Sequence, residues 1–238
     1  HPDFERAFRI QMNTLEWMPI FLPALWLFAI YIGDAIPAGL GAIGIIGWNA
    51  GVNRTPGAGE TLAGLSPDLV VMSNQPARVD WQPVIESMEG GGVSRLAIFT
   101  IASRFPITAR GAVSLGLNGR ILQFDASDFD PEARDHIDHG WAAYLTLDAG
   151  SVLGRPLTVW AIDLPSDPML GRRAMMQRVR GRLGAFPAPD LIIGDFNTPR
   201  GSHSLSLLTG GLPSAYSQAG WGPAGTWPRR APLFHIDH

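Results

Sequence analysis

The sequence contains no cysteine and no lysine, and charge of either sign is scarce at 16% of residues. Without cysteine there are no disulfides and no thiolate metal sites, so any bound metal must be held by oxygen or imidazole. All 18 basic residues are arginine, which points to a GC-rich coding source more than to a functional choice. A net charge of −3 excludes a general polyanion-binding surface, and any contact with nucleic acid has to be local. What is abundant is apolar sequence, 46% of 238 residues, enough for one large or two small cores and too much for intrinsic disorder over most of the chain.

The most informative stretch is Leu191 to Gly201, LIIGDFNTPRG. Three apolar residues after Asp190 suit a buried strand, and Gly194 lets the backbone turn sharply where that strand ends. Asp195 and Asn197 are two residues apart, so in extended chain they point to the same side. The pairing suits metal-assisted attack on a phosphoester. The carboxylate can hold a divalent cation or orient a water, and the amide donates to a phosphate oxygen without adding charge repulsion. The same pair also suits a turn whose side chains cap backbone groups.

The end of the chain, TWPRRAPLFHIDH, adds a second motif. Thr226-Trp227-Pro228, then Ile236-Asp237-His238, following GDFN in that order, resembles the endonuclease/exonuclease/phosphatase superfamily, whose members include DNase-I-like nucleases and inositol phosphatases. The resemblance covers residues 48–238 and implies an α/β fold, a four-layer sandwich of two packed sheets with outer helices. It places Asn49, at the end of the strand Ile45 to Asn49, on the superfamily's first motif near the metal. The strand Asp68 to Met72 leads to Ser73-Asn74, where the family carries Gln-Glu, so a neutral amide stands in for the principal metal ligand. Asp163 ends the strand of RPLTVWAIDLPSDP, where the family carries His or Tyr near the scissile phosphate. A carboxylate there repels a phosphodiester unless it is protonated or bound to metal. Ser214 stands where many relatives have an Asp that orients the catalytic histidine. The chain opens on His1 and stops at His238, and it reads as a fragment cut at both ends, lacking the final core strand that follows the Asp-His pair.

Other segments carry less. Ser94 to Thr100 leads into an Ile101 to Ile107 stretch with the superfamily's S-R-x-P-I ending. Strands are expected at Ile121 to Phe124, Trp141 to Leu147 and Leu157 to Ile162. The acidic stretch between them offers Asp125, Asp128, Asp130 and His136, in a spacing that fits no calcium loop. Helices are expected at Glu60 to Leu65, Leu170 to Leu183 and His203 to Leu208. The second of these has an apolar stripe of Met175, Val179 and Leu183 and a basic exposed face.

Residues 1–47 are sequence of another kind. Leu15 to Ile32 is an apolar run with Glu16 as its one charge, just long enough to span a bilayer as a helix, and no small-residue cleavage site marks it as a signal peptide. Arg6, Arg9, Asn13 and Glu16 line one helical face running into it. FERAFRIQMNTLEWMPIFLPALWLFA resembles the second helix of the MAPEG family of membrane proteins. That resemblance puts Arg9, Asn13 and Glu16 on glutathione-binding positions, with Arg6 and Gln11 also on the motif. It covers one helix and part of the next, whereas the family needs four helices and a trimer.

The reading is therefore a membrane-associated, metal-dependent phosphoester hydrolase of nuclease or phosphatase type, acting on nucleic acid or a small phosphorylated molecule with Mg2+ (or Mn2+). The resemblance assigns catalysis to Asp195, Asn197, His238 and Asp163, and metal binding to Asn49, Asn74 and Asp237. The alternatives are a non-catalytic domain of the same superfamily and a glutathione-dependent MAPEG enzyme fragment.

Overall fold

A computed structural model of the chain describes residues 43–49, 57–74, 79–89, 91–120, 137–219 and 236. Its strands are β1 (Ile45–Asn49), β2 (Leu69–Ser73), β3 (Gly92–Leu96), β4 (Phe99–Ser103), β5 (Ile107–Ser114), β6 (Gly119–Arg120), β7 (Ile137–Asp138), β8 (Trp141–Leu147), β9 (Leu157–Asp163) and β10 (Leu191–Asp195). The helices are α1 (Ala58–Ala63), α2 (Gln82–Ser87), α3 (Gly150–Leu153), α4 (Arg172–Arg182), α5 (His203–Thr209) and α6 (Ala215–Ala219). One sheet runs β1-β2-β4-β3, a second β10-β9-β8-β5, and β6 and β7 form a small ribbon. Both large sheets are mixed, each with one parallel pair, β1 with β2 and β10 with β9.

The side-chain period of two explains the layers. Along β9, Leu157, Val159 and Ala161 enter a core shared with Leu69, Val71, Phe99 and Ile101 of the other sheet, so the two sheets face each other. The intervening Trp160 and Ile162 meet Met175, Met176 and Val179 of α4 and Leu205 and Leu208 of α5. On the first sheet, Val70 and Met72 turn outward to Leu62 of α1 and Val84 of α2. A strand buried on both faces reads as a continuous apolar run, which is why LTVWAI could be recognised as one.

Each parallel pair is tied at its N-terminal end by an aspartate just before the inner or outer strand. Asp68 accepts the Gly44 N–H (2.7 Å) and pairs with Arg104 (2.9 Å). Asp190 accepts the Thr158 N–H (2.8 Å) and both guanidinium nitrogens of Arg155 (3.0 and 2.6 Å). Burial pushes the Asp190 carboxyl upward, but Arg155 and the Thr158 N–H outweigh it and hold the group below the usual carboxylate range.

Several expectations need correcting. Ser94 to Thr100 does not lead straight into the Ile101 to Ile107 stretch, because a turn at Ala97 and Ile98 separates β3 from β4, with Ala97 at φ 54°. Gly194 lies within β10 and not at its end; a Cβ there would collide with the Ile162 carbonyl, so glycine is needed for close approach of β9. The basic face of α4 is not uniformly exposed, since Arg172 is half-buried against the loop that follows β9. The strand expected at Ile121 to Phe124, the acidic residues Asp125, Asp128 and Asp130, and His136 lie outside the described residues. So do the apolar run Leu15 to Ile32 and the polar face Arg6, Arg9, Gln11, Asn13 and Glu16. Among the described residues no helix is long and apolar enough to cross a membrane.

Candidate functional site

The two parallel pairs end at the same rim. Alternation puts Asn49 on the face of β1 that carries Ile45 and Gly47, and Gly47 abuts Ile193 of β10 across the sandwich. Asp195 shares the inward face of β10 with Ile193, and Asp163 that of β9 with Ala161. Asp195 and Asp163 are register partners on adjacent strands, both buried, at 7% and 5% exposure. Asn74 would point elsewhere if β2 continued, but it takes φ 51°, a left-handed conformation that asparagine tolerates better than most residues, and this turns it into the group.

Hydrogen bonds then join the four side chains in a row. Asn74 Nδ2 donates to Asp163 Oδ2 (3.1 Å) and to Asn49 Oδ1 (3.2 Å). Asn49 Nδ2 donates in turn to Asp195 Oδ2 (2.9 Å). Two amides from one sheet thus bridge two carboxylates from the other. Asp195 Oδ1 also accepts the Asn197 N–H (2.8 Å). The extended geometry expected from Asp195 to Asn197 does not hold, because Asn197 stands at φ 45° and its Nδ2 donates to the Leu164 carbonyl (2.6 Å).

The surroundings stiffen this arrangement. The Leu164 N–H donates to the Asp195 carbonyl (2.9 Å), lacing the exits of β9 and β10 together. Phe196 donates its N–H to the Ile236 carbonyl (3.1 Å), so the chain's last described residue lies beside the GDFN turn. Asp237 and His238 lie outside the described residues. Ser214 sits at the start of α6, where its Oγ accepts the Ser217 N–H (3.4 Å) and its carbonyl accepts the Gln218 N–H (3.1 Å). The β6–β7 ribbon packs beside the end of β9, with Gly140 next to the Asp163 carbonyl. Within that ribbon burial raises the Asp138 carboxyl, against the lowering influence of the Gly140 N–H and of His139.

Sequence reasoning missed Arg172, which it placed on a solvated helix face. Its guanidinium donates to the carbonyls of Pro165, Ser166 and Asp167. Burial lowers its affinity for the proton, opposed by the charges of Asp167 and Asp195. No periodicity or motif signals a side chain that reaches back over its own helix N-terminus. The Leu164 carbonyl was missed for the same reason, since backbone acceptors leave no trace in sequence.

Among the described residues no three of His, Asp and Glu gather closely enough to hold an ion. The row gathers two carboxylates and two carboxamide side chains, the oxygen-bearing groups that a hard divalent cation takes as ligands while keeping several waters, and in it the amide nitrogens face the carboxylates, so an ion would replace these hydrogen bonds. Two shallow depressions, of about 460 and 500 Å3, lie at the opposite end of the strands around Phe105 and Pro106. They are open and hold no such convergence of groups, so chemistry and not concavity locates the site.

SmcL superposes with a TM-score of 0.54 at 15% identity, over 82% of this chain and 81% of that one. The described residues share the fold of SmcL. A functionally unknown conserved protein from Enterococcus faecalis V583 gives a TM-score of 0.52 at 16% identity, over 81% and 84% of the two chains. An endonuclease/exonuclease/phosphatase family protein from Bacteroides thetaiotaomicron gives 0.45 at 11% identity, over 71% and 68%. The MAPEG family model matches residues 1–47, whose last three are the first three of β1. In that region the chain is 58% identical over 45 residues to the uncharacterized protein sll1147 of Synechocystis, covering 19% of this chain and 33% of that protein. It is 41% identical over 46 residues to human microsomal glutathione S-transferase 2, covering 19% and 31%. The chain thus spans about a third of the length of the curated relatives it matches.

Proposed function

We propose that residues 48–238 form a metal-dependent phosphoester hydrolase, with nuclease and phosphatase substrates both within its chemistry. The observation that carries this reading is the convergence of Asp163 and Asp195 with Asn49 and Asn74 at the ends of two parallel strand pairs, in a fold shared with SmcL. The GDFN and Ile-Asp-His motifs of the sequence support it, since the chain brings Ile236 beside Phe196. Asn49, Asn74, Asp163 and Asp237 are the residues that would hold Mg2+ or Mn2+. When bound, such an ion stabilises negative charge building on phosphoryl oxygens.

The chain's own groups have separable tasks. Asp195 is held on both oxygens, by Asn49 and by the Asn197 N–H, so its carboxylate is pre-oriented to align or deprotonate an attacking water. Asn197 holds the exits of β9 and β10 in place through Leu164, and its amide is the candidate donor to a phosphate oxygen. His238 is assigned to charge that develops in the transition state. The experiment is hydrolysis of bis(p-nitrophenyl) phosphate by the whole chain in millimolar Mg2+ or Mn2+. Activity should vanish with EDTA and in Asp195→Ala, and a native chain no better than Asp195→Ala sinks the catalytic reading.

One observation favours a second reading, a domain that binds phosphorylated ligands without cleaving them. Asn74 stands where the resembled family has a carboxylate, and it occupies one oxygen of Asp163 with a donated hydrogen bond. Retained binding of a phosphodiester with no turnover would select this reading. For the MAPEG-like sequence that precedes β1 we propose a membrane-spanning segment at Leu15 to Ile32 that attaches the domain to a bilayer, with Arg9, Asn13 and Glu16 facing glutathione. Sedimentation with vesicles and glutathione titration of the whole chain test the two halves of that proposal.

A further inference from the structure

We propose that Arg172 is a positioning residue of the candidate site, clamping the turn that leaves β9 so that Asp163 and Asp195 keep their register. Nη1 donates to the Pro165 carbonyl (2.8 Å), and Nη2 to those of Ser166 (3.3 Å) and Asp167 (3.2 Å). Three successive carbonyls are thus gathered on one guanidinium. Pro165 has no N–H and cannot prolong the pairing of β9 with its neighbours, so the turn needs another source of order. The planar fork of arginine supplies it, where the single ammonium of lysine would not.

The clamp acts on the site through one residue. Leu164, immediately before the clamped carbonyls, donates its N–H to the Asp195 carbonyl and accepts the Asn197 side chain. Asn197 in turn donates its N–H to Asp195 Oδ1. Movement of the 165–167 turn therefore moves the exits of both carboxylate-bearing strands. Asp167 reinforces the turn, its carboxylate accepting the Met169 N–H (2.9 Å) and its carbonyl that of Leu170 (3.3 Å). The Arg172 guanidinium also attracts Asp195 electrostatically, which counters the crowding of two adjacent carboxylates. Arg173, the next residue, is exposed and serves as an internal control.

Amide hydrogen exchange by NMR tests the clamp without substrate, and only the kinetic arm rests on the hydrolase reading. In Arg172→Gln, protection of the Leu164 and Asn197 amides should fall at least about tenfold relative to Leu145 in β8, and Arg173→Gln should change neither. In phosphodiester hydrolysis, Arg172→Gln should lower kcat by roughly ten- to a hundredfold with little change in KM, because misplaced groups cost rate more than binding. Arg172→Lys keeps the charge and loses the fork, so it should show the exchange defect in milder form; it also replaces the glutamine variant if that one fails to fold. Unchanged protection at Leu164 and Asn197 overturns the proposal, as does lost protection with undiminished kcat. If the native chain hydrolyses nothing, the functional reading fails separately and exchange alone decides the clamp.

Discussion

Asp138 shows how a single carboxylate can be tolerated at a cost. Its Oδ1 accepts the Gly140 N–H (2.9 Å) and so shapes the ribbon beside Asp163, yet burial raises its proton affinity above that of an exposed aspartate. The folded chain therefore holds this proton more tightly than the unfolded chain. Stability falls as pH rises from the unfolded value, near 4, through the higher folded one, and stays reduced above it. Asp138→Asn keeps the acceptor oxygen and removes the charge. It should match the native chain at low pH and melt higher at pH 7, by no more than ~1 kcal/mol because the side chain is partly screened by solvent. A melting difference that is constant across the acid range would show that charge is not the cause.

At the scale of elements, the hairpin between β3 and β4 carries a similar local cost. Ala97 is exposed and holds φ 54°, which costs an alanine about 1–2 kcal/mol. Ala97→Gly relieves this but adds backbone freedom to the unfolded chain worth about 0.5–1 kcal/mol. The net expectation is a gain of roughly 0.5–1 kcal/mol, read as a higher denaturation midpoint with an unchanged slope. A loss would mean that the turn differs from the one described. The same hairpin marks where sequence reading stops. LTVWAI was legible because β9 is buried on both faces, and LII because both faces of β10 pack on apolar neighbours, while Asp163, Asp195 and Asn49 were legible because each ends an apolar run. β5, ITARGAVS, is built mostly of small residues, none of them fully buried, and carries no such pattern. Helix α2 spans six residues beginning at Gln82, too few for a helical period to show. Asn74 is recruited by a left-handed φ and Arg172 by backbone carbonyls, and neither follows from residue spacing.

For the whole molecule, the decisive feature is that the candidate site belongs to neither sheet alone. Asn49 and Asn74 come from the first sheet and Asp163 and Asp195 from the second, so the row exists only while the sheets are packed face to face. A ligand of this row binds the folded state and not the unfolded one, and must raise the melting temperature by mass action. At Mg2+ ten times its dissociation constant the gain is about 1.4 kcal/mol, or roughly 3–6 °C for a domain of this size. Because two of the four groups are neutral amides, millimolar Mg2+ should be needed, and EDTA should abolish the shift. Asn74→Glu sharpens the test. Without metal it should melt lower than the native chain, since glutamate is strained in the left-handed conformation and adds a third carboxylate beside Asp163. With metal its shift should exceed the native one, because a carboxylate attracts Mg2+ more strongly than an amide does. Asp163→Asn with Asp195→Asn should show no shift at all. An equal Mg2+ shift in that double variant and in the native chain would place the ion elsewhere, and would leave the row as a polar seam between the sheets.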